Sequence, residues 1–131
     1  MSAVPPTIPA DANVSSLHST KVNLVKGAVT IAAIAATDAP GTVNAASGKI
    51  TFTSATVATA TQTIATITNS SCSASSVVIV SIDSYAGVAG TNGVPTVYAK
   101  AAEGKFVLTV VNESVTANAL EGELVVSFLI V

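Results

Sequence analysis

Residues 123–131 read Glu-Leu-Val-Val-Ser-Phe-Leu-Ile-Val. As a strand, with side chains alternating between two faces, this run sets Leu124, Val126, Phe128 and Ile130 on one side and Val125, Leu129 and Val131 on the other. Both sides are apolar. A strand with that pattern has to be covered on both faces, whereas an exposed sandwich strand shows one polar face to water. The core of a β-sandwich accounts for one cover. The other is either a further subunit or the N-terminal part of the same chain, and the run itself leaves both open.

Working outward, residues 105–112 alternate, with Phe106, Leu108 and Val110 on one face and Val107 and Val111 on the other. The turn before them, Ala101-Ala102-Glu103-Gly104, has glycine where a hairpin needs positive φ. Residues 96–100 supply the preceding strand. Residues 77–82 (VVIVSI) form a continuous apolar run, expected to be a central strand buried on both faces. Residues 62–68 carry Ile64 and Ile67, and residues 49–53 place Ile50 and Phe52 on one face. Between these runs lie the Ser-rich turn at 69–76, the glycine-rich stretch at 86–93 and the loop at 112–121. The segment 28–36 (AVTIAAIAA) fits either a short helix or a first strand; the interleaved Val, Thr and Ile favour strand. Seven or eight short strands with turns every 8–12 residues predict an all-β, antiparallel β-sandwich or jelly-roll-like domain over 27–131.

Residues 1–26 read differently. Pro5, Pro6 and Pro9 fix φ and remove backbone donors, while Val14, Leu17, Val22 and Leu24 are apolar anchors without a sustained period. An extended N-terminal arm lying along a surface is expected. The segment 28–36 loosely imitates a signal peptide, with Lys21 and Lys26 ahead of it, but it starts late and Thr30 interrupts it. No apolar run approaches the roughly 18 residues of a membrane-spanning helix.

The composition excludes several functions. Half of the 131 residues are hydrophobic and 9% are charged, against about 25% in an ordinary soluble domain. Five lysines, no arginine and a net charge of −2 offer no basic patch, so no nucleic-acid partner is expected. His18, alone in the arm, is badly placed for a relay with serine and aspartate. Cys72 is the single cysteine; it can form no internal disulfide, and with His18 it is too little for a zinc site. The acids are scattered, and the Glu121/Glu123 pair reads as a solvated strand start rather than a cation site. Gly87, Gly90 and Gly93 lack the lysine and helix start of a phosphate loop. N-x-S sequons at Asn13, Asn69 and Asn112 are few enough to arise by chance in a Ser-rich chain. No enzyme, cofactor or metal is expected, and no small-molecule ligand or membrane.

With these runs in place, residues 48–131 resemble a β-sandwich domain of tailed-bacteriophage virions, found at fibre tips and in capsid decoration proteins. The resemblance lies in Gly48-Lys49-Ile50-Thr51-Phe52, Ile64 to Ser71, Ser76 to Ile82, Val94 to Lys100, Gly104-Lys105-Phe106-Val107-Leu108-Thr109 and Val126 to Val131. It is a succession of strands and turns with no catalytic signature. It implies a homotrimer in a virion. A compact knob behind a short arm suits a cement protein, which would bind the major capsid protein on the outer capsid surface. The expected oligomer or capsid interface is Val14, Leu17, Val22 and Leu24 of the arm with Val107, Val111, Val125, Leu129 and Val131. The alternatives are a receptor- or glycan-binding fibre tip, using Tyr85 and Tyr98, or a bacterial surface-layer or adhesin domain.

Overall fold

The computed structural model describes residues 26–131, which carry eight strands and no helix. These are β1 (Lys26–Ile31), β2 (Gly41–Thr42), β3 (Ser47–Phe52), β4 (Gln62–Thr68), β5 (Val78–Tyr85), β6 (Pro95–Ala102), β7 (Lys105–Asn112) and β8 (Leu124–Ile130). They form two four-stranded sheets in a sandwich-like arrangement. The first sheet has the order β1-β3-β8-β5 and the second β2-β4-β7-β6. Pairing is antiparallel except at one edge of each sheet, where β1 runs parallel to β3 and β2 parallel to β4. The arm expected over 1–26 lies outside the described residues except for Lys26, which opens β1.

The inner faces follow the alternation of the sequence. Ile50 and Phe52 of β3, Ile67 of β4, Phe106, Leu108 and Val110 of β7, and Leu124 and Val126 of β8 are all fully buried. Phe106 and Phe128 join the two sheets, their ring centroids 5.4 Å apart and tilted by 43°, a favourable aromatic geometry. The segment at 28–36 resolves as strand β1, followed by a bridge from Ile34 to Ala55 that buries both.

One expectation changes. The run at 77–82 is not central: β8 takes that place, and β5 is the outer strand of its sheet. Val77 and Ile79 are accordingly 58% and 53% exposed. The run looked doubly buried because its inward residues, Val78, Val80 and Ile82, alternate with an outward Ile79. Ile64 and Ile67 are three residues apart in a strand of period two, so they point to opposite faces. Ile67 is buried and Ile64 is 40% exposed. The turn-forming stretch Asp38-Ala39-Pro40-Gly41, after β1, runs along β4. Ala39 N donates to Ile64 O at 3.1 Å, the Asp38 carboxylate accepts from Thr66 N at 2.8 Å, and β2 continues alongside β4. This stretch thus lines the edge of the second sheet.

Two glycines allow β1 to dock. A side chain on Gly27 would meet Val43 and Ala45, and one on Gly48 would run into the Gly27 backbone. The β6–β7 hairpin closes on Glu103-Gly104, with Gly104 at φ +69°, the left-handed geometry that glycine tolerates.

Candidate functional site: two outward sheet faces and a loop groove

Register fixes what each sheet shows outward. On the second sheet, three cross-strand sets run Gln62–Val111–Thr96, Ile64–Thr109–Tyr98 and Thr66–Val107–Lys100. Val107 and Val111 are therefore brought onto one face, half-buried, beside the exposed Ile64 and Tyr98. Lys100 and Lys105 are the charges of this face; its strands carry no acid.

On the first sheet the corresponding sets are Lys26–Ser47–Leu129–Ile79, Ala28–Lys49–Ser127–Ser81 and Thr30–Thr51–Val125–Ser84. The register shifts between Ile82 and Ser84. Lys49 Nζ donates to the Asp83 carboxylate at 2.7 Å, crossing over β8. Both partners are about half exposed, so the pair contributes little to stability. Val125 and Leu129 lie on this outer face. Beyond its end, Val131 exchanges two backbone hydrogen bonds with Val77. The proposed interface residues of the folded domain thus divide between two sheets and do not form one patch. Val14, Leu17, Val22 and Leu24 lie outside the described residues, as does His18.

Tyr85 and Tyr98 are not brought together. Tyr98 is 51% exposed on the outer face of the second sheet. Tyr85 ends β5 and walls an open, largely apolar groove of about 250 Å3, with Gly87, Val88, Gly93 and Pro95 along it. Its hydroxyl accepts from Glu121 N at 2.9 Å. Asn92 ties the loop down, accepting from Val88 N at 2.7 Å and donating to the Glu121 carboxylate at 3.0 Å. The Tyr85 oxygen already accepts from the Glu121 amide, so the groove offers a ligand the ring and the O–H donor.

Two sequons are spoken for by the fold. Asn69 is buried and donates to Ala45 O at 2.7 Å. Asn112, also buried, donates to Val57 O and Asn118 O and accepts from Ser114 N and Val94 N. Neither amide is open to a glycan in the folded chain. Cys72 is buried in the Ser-rich turn. Among the described residues no three His, Cys, Asp or Glu side chains cluster as metal ligands, and no helix is long and apolar enough to cross a membrane. Ser47 is the feature that sequence reasoning missed. It points outward from β3 yet is only 8% exposed, and its buried hydroxyl has no hydrogen-bond partner among the described residues. A serine in a Ser- and Thr-rich chain gives no signal of this.

No protein-family model, curated protein or solved structure matches the chain.

Proposed function

We propose that this chain is a virion structural protein, a capsid cement or decoration protein that assembles as a homotrimer and stabilises the shell by knob and arm contacts. The observation that carries this reading is the outer face of the second sheet. There Val107 and Val111 sit among Ile64, Tyr98 and Thr109, with no acidic side chain on its strands. Apolar side chains set among threonines, Gln62 and two lysines on a rigid sheet suit burial against another subunit. The virion context comes from the resemblance of residues 48–131 to phage β-sandwich domains. The arm, with Val14, Leu17, Val22 and Leu24, would reach the major capsid protein. Burial at about 25 cal/mol per Å2 and avidity from three arms would supply the binding. We also read the topology as jelly-roll-like, because successive strands pass from sheet to sheet and β6–β7 alone is a hairpin within one sheet.

The test is light scattering of the purified protein with and without Val107→Asp and Val111→Asp. A trimer that the double substitution converts to folded monomer supports the reading. A wild-type chain that stays monomeric at all concentrations removes it.

A second reading, a receptor- or glycan-binding tip, is favoured by the groove at Tyr85 and the exposed ring of Tyr98. It predicts that Tyr85→Ala or Tyr98→Ala abolishes binding to host cells or a glycan array. Unchanged binding in both variants would remove it.

A further inference from the structure

We infer that the outer face of the first sheet is the resting place of the chain's own N-terminal segment, residues 14–25. The argument starts at Ser47. Its hydroxyl is more than nine-tenths buried and has no hydrogen-bond partner among the described residues, on a face that should look into solvent, a costly state for a polar group. Leu129, the next residue across the sheet, and Ile79 beyond it are apolar and outward, and Val77 and Val131 extend the patch at the same end. This is the end where the segment enters, since Lys26 stands in register with Ser47.

Length and composition fit. From β1 to β5 is three strand spacings, about 14 Å, which about five extended residues cover. Residues 14–25 supply Val14, Leu17, Val22, Leu24 and Val25 to cover apolar side chains, and backbone groups to meet the Ser47 hydroxyl. A second copy lying on this face would need no link to Lys26; the chain's own segment starts there. The inference concerns the free chain, in which residues 14–25 rest on their own sheet; in the virion reading the same residues would leave it to reach the capsid, so the test uses the isolated protein.

The experiment measures thiol alkylation by iodoacetamide in the full chain carrying Ile79→Cys, with peptide mass spectrometry as readout. The same chain carrying Glu103→Cys, in the exposed hairpin turn, is the reference, and buried Cys72 reports that the fold is intact. We expect position 79 to react about tenfold more slowly than position 103. Adding Val22→Asp and Leu24→Asp should bring position 79 up to the reference rate, leaving position 103 and Cys72 unchanged. Val22→Cys with Ile79→Cys, four residues back from Lys26 and so able to reach β5, should oxidise to an intrachain disulfide that migrates as monomer. Ser47→Ala, which removes the partner of the segment's backbone, should speed labelling at position 79 severalfold. Equal rates at 79 and 103 in the starting chain, slow labelling that survives the two aspartates, a disulfide that forms only between chains, or no effect of Ser47→Ala each overturns the inference.

Discussion

Asn112 shows how much one buried amide can hold in an all-β domain with long loops. Its four hydrogen bonds tie the end of β7 to residues 57, 94, 114 and 118, all of them loop backbone. Removing the amide leaves several backbone groups unpaired in a dry site, at about 1–3 kcal/mol for each group left unsatisfied. Asn112→Ala is expected to lower unfolding free energy by about 3 kcal/mol in a urea titration. Gly93 belongs to the same site, because any side chain there would meet that amide. Gly93→Ala should cost about 1–3 kcal/mol by overpacking and loosen the glycine-rich loop. Lys49 and Asp83 behave in the opposite way. Their ion pair is short but exposed, so Lys49→Met should change stability by less than about 1 kcal/mol. Distance alone ranks these sites wrongly, and burial corrects the ranking.

At the scale of elements, the alternation in 105–112 and 124–130 was legible because two bulky inner faces left no second register. Residues 62–68 were legible as a strand with the right ends, yet not as a face, since Ala65 and Thr63 do the inward packing and an isoleucine points out. Ile64 signals nothing by type, and its parity with Ile67 was the available clue. The place of 77–82 in its sheet was not legible at all. Strand order depends on which segments meet from far apart in the chain, and an apolar run reads alike at an edge and at the centre. The site was legible in part: Val107 and Val111 could be placed outward from their own strand, while the neighbours Ile64 and Tyr98 required the register. β1 offers an element-scale test. It seats against β3 through facing glycines at 27 and 48. Gly48→Ala should therefore peel β1 away, seen as faster amide exchange across residues 26–31 with protection of β7 retained.

For the whole molecule, the proposed assembly gives each of the two differently furnished outer faces its own test. The second sheet's face is the surface expected to meet other copies, so Val107→Asp with Val111→Asp should change oligomeric state while the far-ultraviolet circular dichroism stays that of a β protein. The first sheet's face should respond to changes in residues 14–25. Independent responses of the two would show that contacts between copies and contacts of the arm are separately tunable.

The position of β8 has a consequence for how the chain is made. It is the centre of the first sheet, flanked by β3 and β5, and it pairs Phe52 with Leu124 across most of the domain's length. On the ribosome, β1, β3 and β5 emerge long before the strand that unites them. Until residue 130 clears the exit tunnel they expose unpaired edges and half a core, and long-range pairing of this kind is slow even afterwards. Synthesis rate and chaperone supply, rather than final stability, should then govern the soluble yield of this protein.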